Sequence, residues 1–166
     1  MPASLILMGN MKINENLRLT LRTVAYDDVE VGEMIRRLDQ YQIGLYGKEN
    51  CNLDSVSRLK DSGALLLGAF AGDMLAGIGA VKLFDGYAEI KRMYTGEGFR
   101  GLGAARLVLN GLEEYARENG KKRVCLETGY LHDAALTFYT KAGYGVIERF
   151  GNYKPNTVSI YFEKFI

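Results

Sequence analysis

Gly96, Gly98, Gly101 and Gly103 crowd the segment Thr95–Ala105, TGEGFRGLGAA, which separates a strand-like run from the longest amphipathic stretch of the chain. Residues without a Cβ at the start of a helix leave its first, unpaired N–H groups open to a ligand. The positive end of the helix dipole and the guanidinium of Arg100 add to the attraction for an anion, and glycine allows a pyrophosphate to approach the backbone closely. Such a turn suits a phosphorylated cofactor. An ordinary glycine-rich connection is the plainer reading, and the rest of the chain has to decide between them.

On the C-terminal side, Leu102, Ala105, Leu109, Leu112 and Ala116 recur on one helical stripe from Gly101 to Asn119, with Gly120 able to take the left-handed conformation that ends a helix. On the N-terminal side, turns at Ala71-Gly72-Asp73 and Asp85-Gly86 divide three strands, Ala64–Phe70, Met74–Phe84 and Tyr87–Thr95. Leu17 to Val24 alternates apolar and polar residues as a first strand does. Asp27 or Asp28 caps a helix whose face is Val31, Ile35 and Leu38 and which ends near Gly44; a weaker helix runs from Asn52 or Asp54 to Asp61. After the long helix come a strand Val124–Glu127, a helix capped by Asp133 that runs through Lys141, and strands Tyr144–Phe150 and Thr157–Phe165. The pattern predicts an α+β fold: one domain over residues 17–166 with a mixed sheet of about seven strands and about four helices, preceded by a loose lead-in over 1–16.

Gly96, Gly98 and Gly101 also satisfy the dinucleotide fingerprint G-x-G-x-x-G. A dinucleotide fold needs repeated strand–helix–strand crossovers and an acidic residue for the ribose, whereas here a hairpin precedes the turn and Glu127 is an imperfect candidate for that acid. No Gly-Lys-Ser or Gly-Lys-Thr follows, so a P-loop fails. With 21 basic and 20 acidic residues the net charge is +1, too small for a field that would draw nucleic acid or an anionic membrane. Lys121-Lys122-Arg123 reads as support for the negative end of the long helix. Cys51 and Cys125 have neither metal-ligand nor disulfide spacing and read as core residues, in keeping with a reducing cytoplasm. Leu5-Ile6-Leu7-Met8 lacks a basic leader, and no run spans a bilayer. A lone His132 argues against a zinc site, and beside Asp133 it reads as a surface residue at a helix start.

In order, the strand AEIKRMYT, the turn FRGLGAA, the strand CLETG and the helix AALTFYTKAGY resemble the GNAT superfamily of acetyltransferases, most densely from Glu89 to Tyr153. In that family a motif Q/R-x-x-G-x-G/A grips the pyrophosphate of acyl-CoA; Arg100, Gly103 and Ala105 occupy its positions, with Gly101, Leu102 and Ala104 between them. The resemblance implies that the backbone of Met93, Tyr94 and Thr95 pairs with the pantetheine arm where two strands splay apart. His132 stands where relatives often carry an asparagine that holds that arm. The implied activity is transfer of an acetyl group from acetyl-CoA, without a metal, to a small-molecule or peptide amine. A homodimer stays open. A non-catalytic acyl-CoA-binding module is the rival.

An alkylammonium titrates near ~10.4, so a group must take the amine's proton before attack. By resemblance that base is Glu89; the alternative is a solvated strand glutamate paired with Lys91 or Arg92, and Glu127 is the substitute. Tyr139 aligns with the family's tyrosine that protonates or hydrogen-bonds the departing thiolate, though Phe138 and Tyr139 also suit simple packing. An N–H near Met93 or Tyr94 would meet the developing oxyanion. Direct transfer needs no nucleophilic cysteine. Family analogy brings the acceptor in beside the first two helices, with Tyr41, Tyr46 and Glu49 as contacts whose acidic and aromatic character suits a cationic amine.

Overall fold

The computed structural model describes residues 18–166 and, ahead of them, the backbone of two short antiparallel strands, β1 (Leu5–Met8) and β2 (Met11–Asn14). The rest of the lead-in expected over residues 1–16 lies outside the described residues. Then follow β3 (Leu19–Thr23), α1 (Val29–Tyr46), α2 (Val56–Asp61), β4 (Leu65–Ala71), β5 (Met74–Phe84), β6 (Tyr87–Thr95), α3 (Ala104–Glu118), β7 (Arg123–Gly129), α4 (Asp133–Lys141), β8 (Gly145–Ile147) and β9 (Ser159–Phe165).

Caps set several of these bounds. The Asp28 carboxylate accepts the Glu30 N–H at 3.0 Å and starts α1. Ser55, not Asn52 or Asp54, starts α2 by accepting the Arg58 N–H at 3.2 Å. At α4, Asp133 is the first helical residue; His132 holds the capping position without a side-chain bond.

Seven strands form one mixed sheet in the order β3-β4-β5-β6-β7-β9-β8, antiparallel throughout except between β6 and β7. Strand alternation sorts the side chains onto two faces. Leu66, Ile78 and Ala80 pack on Val31, Met34 and Ile35 of α1. Leu67, Ala69, Val81 and Ile90 pack on Val108, Leu109 and Leu112 of α3 and on Tyr139 of α4. Ala104 and Val108 thus join the buried stripe of α3, while Ala105 is only half-buried.

The sheet is interrupted at its centre. On β6, Arg92 and Met93 both face the single Gly79 of β5, between the pairs Ala80↔Lys91 and Ile78↔Tyr94. This β-bulge bends the strand. Arg92 sits in the left-handed region at φ 57°, a strained conformation for a residue with a side chain. Its guanidinium is held by the Asp39 carboxylate of α1 and by the Asp54 carbonyl, and its side chain is only 7% exposed. Gly79 admits the bulge because a Cβ there would collide with Met93 and Val108. Parallel pairing with β7 covers only Ala88↔Val124, Glu89↔Cys125 and Ile90↔Leu126. Beyond Ile90 the two strands part, each still paired on its far side.

Candidate active site

Three neighbouring spaces with lining residues in common lie along this gap. A cleft of about 510 Å³ lies between the end of β6, the start of α3 and α4, lined by Met93, Tyr94, Thr95, Arg100, Gly101, Gly103, Ala104 and Ala105, with His132 and Tyr139 opposite the turn. A central cavity of about 70 Å³ shares Met93, His132, Ala135 and Tyr139 with the cleft and adds Asp54, Lys91, Arg92, Glu127, Thr128 and Tyr153. An outer pocket of about 450 Å³ shares Asn52, Asp54, Lys91 and Tyr153 with the cavity and contains Glu89.

In the cleft, Gly101 and Gly103 adopt φ of 80° and 88°, a backbone that turns β6 into α3 without side chains in the way. Gly103 occupies the capping position with no side-chain bond, so the first N–H groups of α3 face the cleft as unpaired dipoles. Arg100 and Arg106 flank them, the latter with its guanidinium 5.5 Å from the centre of the Phe138 ring. The parted edge of β6 adds peptide groups of Met93 to Thr95 that no strand satisfies on that side.

Tyr139 is buried against Tyr144 and Phe162, with ring centres 5.7 and 6.2 Å away, and faces both the cleft and the cavity. Tyr144, which follows α4, donates its hydroxyl to Glu113 of α3 at 2.9 Å, and Lys164 of β9 binds the same carboxylate at 3.1 Å. That network fixes the end of α4, hence the ring of Tyr139. Burial raises the Tyr139 pKa above that of an ordinary phenol, so the hydroxyl keeps its proton.

Glu127 faces the cavity from β7. Its carboxylate accepts from the Ser159 hydroxyl at 2.8 Å, and burial raises its pKa despite the bonds from Ser159 and Asn52. Glu89 is 3% exposed; it accepts the Tyr153 hydroxyl and lies 3.4 Å from Lys91. It is therefore neither solvated nor paired with Arg92, and it lines the outer pocket, whereas Tyr139 lines the cavity.

A family model described as the acetyltransferase (GNAT) family matches residues 29–144. The chain belongs to the GNAT acetyltransferase family. It is 32% identical over 136 residues to an IAA acetyltransferase of Azospirillum brasilense, covering 81% of this chain and 89% of that protein. It is 31% identical over 109 residues to the uncharacterized N-acetyltransferase YedL of Escherichia coli, covering 64% and 69%. Among solved structures, a provisionally assigned acyl-CoA N-acyltransferase from Klebsiella pneumoniae superposes with a TM-score of 0.76 at 29% identity, covering 90% of this chain and 99% of that one. The PaiA N-acetyltransferase of Thermoplasma acidophilum, solved with coenzyme A, has the same fold at a TM-score of 0.72 and 21% identity, covering 90% and 99%.

This GNAT chain departs in places from what its sequence suggests. Leu102 packs half-buried against the core and does not line the cleft. Tyr41 lines the cleft beside Arg100, not the outer pocket, and meets the His132 ring edge-on at 5.1 Å. His132 is half-buried, and burial followed by the charge of Arg100 lowers its pKa. Tyr46 is a strut: its hydroxyl accepts the Leu131 N–H at 3.0 Å, and its ring fills the space above Gly129, where a Cβ would collide with it. Glu49 is exposed on a 3₁₀ turn outside all three spaces. Cys125 is in the core, but Cys51 is only half-buried, its thiol donating to the Gly47 carbonyl at 3.2 Å. Arg106, Phe138, Asp54 and Tyr153 line these spaces without a functional role expected of them from sequence; Arg106 alone carried a signal, being a cation in the first turn of a helix that starts at an anion-binding turn. Among the described residues no helix is long and apolar enough to cross a membrane, and no group of three or more His, Cys, Asp or Glu is placed to hold a metal.

Proposed function

We propose that the chain is an N-acetyltransferase that moves an acetyl group from acetyl-CoA directly to a primary amine, within a single domain spanning residues 17–166. The observation that carries this is the row of cleft, cavity and outer pocket along the parted β6 and β7, with Tyr139 in the wall common to the first two and Glu127 in the middle space.

The cleft fits the donor chemically. Free N–H groups at the start of α3, with Arg100 and Arg106, suit a pyrophosphate, and the unpaired edge at Met93–Thr95 suits the amide-bearing pantetheine as an added strand would. His132 and Tyr41 wall that arm. When bound, acetyl-CoA supplies the activated acetyl thioester. Glu127, whose raised pKa makes it a better base than an exposed carboxylate, takes the ammonium proton in the cavity. As the N–C bond forms and the C–S bond breaks, the Tyr139 hydroxyl gives its proton to sulfur and is reprotonated by the second proton that the acylated nitrogen sheds, while the proton taken by Glu127 leaves to solvent. An N–H of the bulged segment near Met93 or Tyr94 meets the oxyanion. The cavity favours Glu127 over Glu89 as the base, because Glu89 is engaged by Tyr153 and Lys91 outside it. Glu89 acts as a positioning residue, holding Tyr153 at the cavity wall.

The test is calorimetric titration with acetyl-CoA, followed by thiol release with a panel of amines. Saturable binding and amine-dependent release are expected. Binding without release from any amine would leave a non-catalytic acyl-CoA-binding module, and absence of binding would remove both readings.

A further inference from the structure

The outer pocket has the wrong charge for a purely cationic acceptor. Arg58 of α2, Lys82 of β5, Lys91 of β6 and Lys154 line it against only two carboxylates, Asp54 and Glu89, an excess of two positive charges (four less two). Both carboxylates are already committed. Asp54 pairs with Lys91 at 2.5 Å, and Glu89 takes Lys91 at 3.4 Å together with the Tyr153 hydroxyl. Among the described residues no carboxylate lies within ion-pair distance of Arg58, Lys82 or Lys154.

The field of these cations is felt inside the pocket. Burial pushes the Asp54 carboxyl up, yet the Lys91 bond and charge, followed by Arg58 and Lys82, hold it below the usual carboxylate range. Lys82 is half-buried beside Glu89 in the β5–β6 register, with its Nζ 4.9 Å from the centre of the Phe84 ring. Phe84 in turn stacks on Tyr87 at 4.9 Å with the planes 8° apart. The pocket therefore offers a flat apolar patch with Lys82 over it, lines its walls with two further cations that have no carboxylate within ion-pair distance among the described residues, and shares Asn52, Asp54, Lys91 and Tyr153 with the cavity that holds Glu127.

Building on the acetyl-transfer reading, we propose that the acceptor is an amine that also carries an acid group, its nitrogen in the cavity near Glu127 and its anionic end in the outer pocket among Arg58, Lys82 and Lys154. Free amino acids and their derivatives have this chemistry, and a phosphorylated amine shares it. Net-neutral acceptors of this form leave the committed carboxylates undisturbed, whereas a polyamine would meet uncompensated like charge.

The experiment compares acceptors in matched pairs on the intact protein: free amino acids against their C-terminal amides, and phosphoethanolamine against ethanolamine, with neutral and polycationic amines in the same panel. The acid-bearing member of at least one pair should win by about tenfold or more in kcat/KM, the size expected for a charge-assisted bond, and the winning pair separates carboxylate from phosphate. Lys82→Met and Arg58→Met should narrow the ratio, chiefly through KM, and the double reversal Arg58→Glu with Lys82→Glu should invert it. Acetyl-CoA titration of each variant reports whether the fold and the cleft survive. Equal or better turnover of the neutral members would overturn the proposal and leave acetyl transfer standing. No thiol release from any acceptor, with acetyl-CoA still bound, would overturn the acetyl-transfer reading and this one with it.

Discussion

Glu127 of β7 and Tyr139 of α4 line the same small cavity at the point where β6 and β7 part. One is a carboxyl with its pKa pushed up and the other a phenol kept protonated, both by burial, which is the pairing that the proposed base and acid require.

Glu127→Gln is expected to lower kcat by about 10²–10⁴, the range for loss of a general base, with acetyl-CoA affinity little changed. Glu89→Gln should cost less in kcat, because Glu89 acts through Tyr153. Steady-state kinetics beside calorimetry separates the two; an equal loss in both variants would restore Glu89 to the role of base.

The same substitution should act on stability in the opposite sense. The Glu127 pKa is higher folded than unfolded, so the stability linked to it is fully present below the unfolded value near ~4.3 and is lost as pH rises through the folded value. Above the folded value the fold carries an ionised, poorly hydrated carboxylate. Glu127→Gln removes that cost and should raise Tm at pH 7 by roughly 2–4 °C, a gain that fades toward pH 4. Scanning calorimetry at several pH values would show it; a lower Tm at pH 7 would count against the burial argument.

Tyr139→Phe is expected to lower kcat by about 10²-fold or more while leaving the fold intact, since the ring packing is kept. Because burial raises its pKa, Tyr139 should contribute no alkaline limb to the rate profile at or below about pH 10, the value for an exposed phenol. An alkaline limb present in wild type and lost in the phenylalanine variant would refute this.

Arg100→Ala and Arg106→Ala should each weaken acetyl-CoA binding by about tenfold, and the loss should shrink as salt is raised, as for solvent-exposed charges near a phosphate. Titrations at two ionic strengths check it. If Arg106→Ala binds like wild type, that guanidinium serves only to pack on Phe138.

At Arg92 the backbone makes an unusual demand. Both Arg92→Ala and Arg92→Gly lose the contacts to Asp39 and Asp54 and should cost about 2 kcal/mol, less than a fully buried pair because Asp39 is 30% exposed. Glycine normally weakens a strand more than alanine does. At φ 57° the order should reverse, with the glycine variant more stable by about 1 kcal/mol in urea unfolding.

What the sequence made legible follows from how local each cause is. The glycine turn, the α3 stripe and the hairpins of β4 to β6 are set by residues within a few positions of one another, and they stand close to where the pattern puts them. The bulge is different: Arg92 is not a residue type that announces a left-handed conformation, and its causes, Gly79, Asp39 and Asp54, come from three other segments. Choosing between Glu89 and Glu127 needed the same knowledge, because only the parting of β6 from β7 decides which carboxylate meets the cavity. Tyr46 was misleading for a related reason: its polar tip reads as a ligand contact, yet it fastens α1 to the turn after β7.

The three residue pairs that join β6 to β7 are a short weld between two plates, four strands on one side and three on the other. An acyl donor bound along the gap, as proposed above, would supply rungs that the polypeptide itself omits, and at a hundred times Kd mass action would contribute ~2.7 kcal/mol against unfolding. If the donor binds there as proposed, the stability of this protein would rise and fall with the concentration of free acetyl-CoA.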